Sequence, residues 1–464
     1  MSPALVNRRT VVIGAATGTL LAACATGPAR NELPPIVFVH GNGDTAGLWL
    51  TTIWRFESNG WPRERLHAID LPYPLARDDD TKPQPGRTST DEHMRYLAAE
   101  VDKVRAATGA AKVVLIGNSR GGYAIRHYIA NGGGADKVSH AILGGTPNHG
   151  VRVSPTSGLG NEFNGAGPFL TALNAPKGPN GDEVTPGPKW LTIRSDDNDK
   201  YAQPDGAWLG AKGVPTGVTY EGPALKGAQN VVIAGADHRE TSFSPKAFEQ
   251  AYRFVTGQAP ATLGITPQAS VVLDGKVSGY GVDNQQGSAA SNLALAGATV
   301  EVYATNPATG ERLGAARHRK TLAADGRWGP FTTDANTTLE FVISAPGYTA
   351  PYATTHLYRS AFPRSANVVN LRAERLLESD KDAKAIVVLT RPRGYFGVPR
   401  DRIALDGKSP PAGIPNGVAG LSTAKLKVAD DAQRPVTGEF NGERIVGRAW
   451  PVAENHLVLL ELHN

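Results

Sequence analysis

At 464 residues the chain is too long for a single compact core, and two or three domains are expected. Hydrophobic residues are 40% and charged residues 20%, which fits a globular protein and excludes a disordered or fibrous one. The net charge of +5 is too mild, and the Lys and Arg too dispersed, for nucleic acid to be an expected partner. Cys24 is the only cysteine, so no intramolecular disulfide can form.

Residues 1–24 read as an export signal. Asn7-Arg8-Arg9-Thr10-Val11-Val12 is a twin-arginine-like start, and an apolar stretch from Val11 to Ala23 follows. That stretch is short for a membrane span. It ends in Leu21-Ala22-Ala23-Cys24, which resembles a bacterial lipobox. In proteins of that kind the leader is cut before the cysteine, which becomes the lipid anchor. Cys24 is therefore the expected anchor of a periplasmic or cell-surface lipoprotein. Ordinary secretion through a small-residue cleavage site is the alternative. Residues 25–32 form a linker.

From 33 to 257 short apolar runs alternate with helical patterns, the signature of an α/β domain with a mostly parallel sheet and helices on both faces. Strands are expected at Ile36–Val39, Leu66–Ile69, Val113–Ile116, Ala141–Leu143, Trp190–Ile193 and Val231–Ile233. Met94, Leu97, Ala98, Val101 and Val104 repeat at helical spacing. Ser89 and Glu92 fit a capping box before that helix, and Gly109 lies just past its end. A last helix spans roughly Pro245 to Val255. A Gly-, Pro- and Asn-rich insert of about 153–189 carries one apolar patch, Phe163 to Leu173, and reads as a short lid. A plain surface loop is the other reading.

Residues 258–268 look like a linker. Beyond them two-residue alternation replaces helical periodicity, as in Ala298–Tyr303 and Leu339–Ile343. Turn signals stand between, at Asn306-Pro307, Asp325-Gly326 and Pro346-Gly347. The region is expected to be all β and sandwich- or barrel-like. Residues 269–373 resemble a transthyretin-like β-sandwich. A second β-rich block, 374–464, is either a separate domain or the rest of one β unit.

The richest signal is Val113-Val114-Leu115-Ile116 running into Gly117-Asn118-Ser119-Arg120-Gly121, with a helical segment behind it. Strand, G-x-S-x-G and helix together read as the nucleophile elbow of α/β-hydrolases. Acyl transfer there needs a base, an orienting acid and two oxyanion donors, with the triad in the order Ser, Asp/Glu, His. His238 follows an apolar run and Gly235, at a strand's carboxyl end, and is the expected base. His40, His67, His127 and His149 read as structural. The acid falls among Asp196, Asp197 and Asp199; the resemblance to α/β-hydrolases of this kind, where a proline often stands five positions after the acid, implies Asp199 with Pro204, and Asp197 is the alternative. The other aspartates of that run would cap the turn or sit in solvent. The turn His40-Gly41-Asn42-Gly43 supplies the oxyanion loop, with the backbone N–H groups of Asn42 and Arg120 as donors. No metal or organic cofactor is expected.

His40-Gly41-Asn42-Gly43, Gly117-Asn118-Ser119-Arg120-Gly121 and Gly144-Gly145-Thr146-Pro147-Asn148-His149-Gly150 together resemble bacterial and archaeal lipases of the α/β-hydrolase superfamily. A lipase domain with a short lid and a β-rich C-terminal region is similar to the Archaeoglobus-type lipases. The resemblance implies a serine carboxylic-ester hydrolase that acts through an acyl-enzyme on acylglycerol-type or similar apolar esters. By fold-level analogy alone, the C-terminal β region would bind lipid or polymer. Two other readings stay open. One is an extracellular depolymerase of polyesters such as polyhydroxyalkanoates. The other is a non-catalytic surface binding or adhesion protein.

Overall fold

The computed structural model describes Met1 and residues 33–280, 291–348 and 351–464. The leader, including Arg8, Arg9 and Cys24, lies outside the described residues. Pro34–Asn464 is one unit and Met1–Leu33 another. Among the described residues no helix is long and apolar enough to cross a membrane.

Six parallel strands build the first sheet: β1 (Ile36–Val39), β2 (Leu66–Ile69), β3 (Val113–Asn118), β4 (Val138–Gly144), β5 (Lys189–Ser195) and β6 (Gln229–Ile233). Their spatial order is β2-β1-β3-β4-β5-β6. The run of apolar residues in β1 and β3 follows from burial on both faces. Val37 and Val39 join the core under α2 (Thr90–Thr108) and α3 (Arg120–Asn131). Phe38, pointing the other way, meets Trp49 and Phe56, and Phe56 meets Phe248. These last side chains belong to α1 (Leu50–Ser58), the helix Pro245–Thr256 and the short turn before α1. The chain leaves β1 toward one edge and continues from β3 toward the other. That reversal opens a crevice beyond the carboxyl ends of β1 and β3, where the functional loops gather.

α2 has both halves of the capping box, Ser89 accepting from the Glu92 N–H and Glu92 accepting from the Ser89 N–H, and Gly109 closes it in the left-handed conformation. α1 carried no clear sequence signal. Its Thr, Ile and Trp are weak helix formers. It forms because residues 50–56 are all buried, so tertiary packing overrides propensity. The stretch read as a linker is tied down along α1: Asn59 exchanges hydrogen bonds with Thr262, and Arg55 donates to the Leu263 carbonyl.

The second half is β. A seven-stranded mixed sheet runs in spatial order through His318–Thr321, Thr299–Thr305, Thr338–Ser344, Thr354–Arg359, His456–Glu461, Ala385–Thr390 and Thr423–Val428. Thr354–Arg359 pairs in parallel with His456–Glu461. The two β-rich stretches 269–373 and 374–464 are therefore joined by backbone hydrogen bonds within one sheet. A three-stranded sheet, Ile403–Leu405, Pro435–Phe440 and Glu443–Arg448, supplies Ile403, Phe440 and Ile445 to a core shared with that sheet. The β region packs on the parallel-sheet region through polar as well as apolar contacts. Trp54 donates to the Ser365 carbonyl, and Arg364 pairs with Glu57 of α1.

Candidate active site

Ser119 sits between the last residue of β3 and the first of α3, with φ 51° and ψ −120°. A non-glycine residue held at positive φ is strained, and only a tightly determined turn keeps it there. The turn is tight because the backbones nearly touch. A Cβ on Gly117 would lie 2.9 Å from the backbone of Gly121 and Gly122, and one on Gly121 would run into the Val39 carbonyl of β1. The serine N–H donates to the Gly144 carbonyl at 2.9 Å, which ties the elbow to β4.

His238 lies in the loop after β6, buried, with Nδ1 at 2.8 and 2.9 Å from the two carboxylate oxygens of Asp199. A carboxylate only accepts, so Nδ1 carries a proton, and in the neutral imidazole the lone pair then lies on Nε2. Nε2 is buried and has no hydrogen-bond partner among the described residues. Tyr201 packs edge-on against the imidazole, with ring centroids 4.6 Å apart. Asp199 is itself oriented by the Tyr201 N–H, which donates to Oδ1 at 2.8 Å. The neighbouring aspartates do other work. Asp196 accepts from the Gly235 N–H, stapling the acid loop to the histidine loop, while Asp197 is exposed. Geometry thus selects Asp199 over Asp197 as the partner of His238.

Ser119 and His238 line one cavity of about 160 Å³. Asn42 forms part of the same wall. Its side-chain Oδ1 accepts from the Ala76 N–H at 2.7 Å. The Arg120 N–H is in the first turn of α3, where N–H groups have no intrahelical acceptor. The Arg120 side chain is occupied elsewhere: it forms a bidentate pair with Glu162 of the 153–189 insert at 2.7 and 2.8 Å. Both side chains of that pair are buried. The same insert contributes Phe163 to the cavity wall. The arrangement can hold an ester carbonyl over Ser119, take a proton at His238 Nε2 and offer backbone N–H groups to an oxyanion.

Two family models match the chain: "alpha/beta hydrolase fold" over residues 34–167 and "Lipase C-terminal domain" over residues 269–376. The chain carries an α/β hydrolase fold and a lipase C-terminal domain. Human (lyso)-N-acylphosphatidylethanolamine lipase is 28% identical over 116 residues, which is 25% of this chain and 31% of that protein. The match thus spans about a third of the curated relative. The mature form of Bacillus licheniformis lipase BlEst2 is similar at 20% identity and a TM-score of 0.34, over 49% of this chain and 92% of that one. Aspergillus fumigatus lipase B is similar at 15% identity and a TM-score of 0.34, over 52% and 56%.

Three other histidines of the parallel-sheet region have structural partners. His40 donates from Nδ1 to the Gly41 carbonyl and accepts at Nε2 from the Leu71 N–H, and burial holds its pKa below the ordinary value. His149 pairs with Glu183, and His127 stacks on Phe169. Several residues of the site had no sequence signal. Tyr201 and Tyr395 line the cavity beside His238, and Tyr395 comes from the β region. Lys200, next to Asp199, lies 3.9 Å from the Tyr395 ring centroid, and burial followed by the nearby Arg239 pushes its ammonium down to about 8. Only Asp237, beside His238, could have been flagged, since a carboxylate next to a candidate base needs a counter-charge.

Proposed function

We propose that the protein is a serine carboxylic-ester hydrolase of lipase or esterase type. Ser119 Oγ attacks the ester carbonyl while His238 Nε2 takes its proton. Asp199 holds the imidazole in the Nδ1–H tautomer and stabilises its charged form. The Asn42 and Arg120 N–H groups bind the oxyanion. Collapse of the tetrahedral intermediate expels the alcohol, which receives the proton from His238, and leaves an acyl group on Ser119. Water activated by the same histidine then releases the acid. This chemistry uses no metal or organic cofactor.

One observation carries the reading: a histidine fixed by a buried carboxylate at Nδ1, with Nε2 unpartnered, shares a cavity with a strained serine on a strand–helix elbow. The lipase C-terminal domain and the apolar part of the cavity wall, Val151, Phe163 and Leu209, favour an apolar acyl ester such as an acylglycerol. Ser119→Ala should lower kcat on p-nitrophenyl butyrate by about six orders of magnitude, with an unchanged circular dichroism spectrum and no fluorophosphonate labelling. Retained turnover in Ser119→Ala would sink the assignment of the nucleophile, whereas a folded wild-type chain with neither turnover nor labelling would leave the non-catalytic binding reading. A series of soluble esters, triglyceride emulsions and polyester films then separates lipase from depolymerase. Export and anchoring through Cys24 form part of the same proposal; palmitate labelling of the cell-expressed protein that survives Cys24→Ser would refute the anchor.

A further inference from the structure

The loop that carries His238 is held from the β region. Asp237, the residue before the histidine, is fully buried. Its carboxylate accepts from Arg391 Nη1 at 2.7 Å and from the Tyr395 N–H at 2.8 Å, on one side, and from the Arg239 and Glu240 N–H groups on the other. Burial alone would push this carboxyl up, but Arg391 and Arg400 outweigh it and hold the group below the usual range. Arg391 also reaches Glu240, and Arg400 bridges Glu240 and the Gly235 carbonyl at 2.7 and 3.0 Å. Arg391 and Arg400 therefore grip both ends of the segment 235–240, with His238 between them.

The acid loop is gripped from the same region. The Ala419 N–H donates to Asn198 Oδ1 at 3.0 Å, and Lys200 donates to the Gly420 carbonyl at 2.9 Å. Asn198 and Lys200 flank Asp199. The two loops that must face each other for the Asp199–His238 bond are both fastened to residues 391–420. Tyr395, from the same stretch, closes one wall of the cavity that holds Ser119.

We infer that residues 391–420 of the β region are a working part of the catalytic centre: Arg391 and Arg400 are positioning residues that set His238 against Asp199. The inference rests on the triad reading above. A buried guanidinium suits this role, because its planar fork can engage two carboxylates at once, which an ammonium cannot do in the same geometry.

The test uses the full chain and p-nitrophenyl butyrate. Arg391→Ala should lower kcat at least about tenfold with KM within about twofold, since a misplaced base slows chemistry rather than binding. Arg391→Lys should recover part of that loss. The control is Arg364→Ala, which breaks a contact between the two regions that lies away from both loops, the ion pair with Glu57 of α1. It should lower the melting temperature and leave kcat within about twofold. Should Arg391→Ala fail to fold, Arg400→Ala takes its place, because that side chain is one quarter exposed; a kcat loss of about threefold is expected. A second readout does not need turnover. The low-field proton resonance of the Asp199–His238 bond, assigned by its loss in Asp199→Asn, should broaden or vanish when Arg391→Ala is placed in the Ser119→Ala background. A folded Arg391 or Arg400 variant that keeps kcat and the resonance overturns the inference, and so does an equal kcat loss in Arg364→Ala. Activity surviving in Ser119→Ala instead defeats the triad reading, whatever the Arg391 variants do.

Discussion

The two sides of the cavity are built on different principles. Ser119 stands on an elbow whose parts lie within a few residues of one another: β3, the two glycines and α3. His238 stands on a loop whose geometry depends on Asp199, 39 residues before it, and whose neighbour Asp237 depends on Arg391, 154 residues after it. The serine side is strained and local. The histidine side is unstrained and assembled from three separate stretches of chain. A locally built feature leaves a contiguous motif, whereas an assembled one leaves scattered residues that mean little apart.

That contrast can be broken from the histidine side with the largest effect. Asp199→Asn should cost about three to four orders of magnitude in kcat, because an amide no longer favours the required tautomer or the imidazolium. Asp197→Asn, in the same loop, should stay within about twofold. Equal losses would mean that the loop, not the Asp199 carboxylate, is what matters.

The serine side is tested through its packing. Gly121→Val should destabilise the fold by about 3 kcal/mol or more, because the new Cβ meets the backbone of β1, which has no room to yield. The midpoint of urea unfolding measures it. A shift below about 1 kcal/mol would show that the elbow is looser than its contacts imply.

The smallest effect is on pH stability, and it touches both sides. His40 and His93 are buried beneath the elbow, and His463 is buried against Trp54 and Phe362 near the end of the β region. Burial pushes all three imidazoles below their ordinary value, for His93 and His463 well below it. A folded pKa under the unfolded one means that the unfolded chain binds more protons as pH drops. The stabilisation is present above the unfolded value of about 6.5 and is lost progressively below it, down to each folded pKa. Each histidine can contribute up to about 1.4 kcal/mol per pH unit in that window. Melting temperatures measured from pH 8 to pH 5 should fall below about 6.5, less steeply in His463→Gln; a flat profile would contradict the burial argument.

Much of the parallel-sheet region was legible. The expected β1 and β2 match the observed strands, β4 is longer than expected at both ends, and the α2 caps stand where Ser89, Glu92 and Gly109 placed them. α1 was not legible, because its stability comes from burial of weak helix formers. The alternation in the β region marked strands such as Thr299–Thr305 and Thr338–Ser344 but not their order. The parallel pairing of Thr354–Arg359 with His456–Glu461 joins segments about a hundred residues apart, which no local pattern encodes.

On its own, the sequence determined the elbow, the run of β-branched strands and the polarity of the loops around them. Each of these is dictated by short-range sterics and by the periodicity of apolar side chains. Tertiary structure decided which aspartate meets His238, where Tyr395 stands, and that Arg391 and Arg400 neutralise the carboxylates beside the histidine. Those outcomes depend on burial, which prices every unpaired charge and admits only the partner that the fold brings within reach.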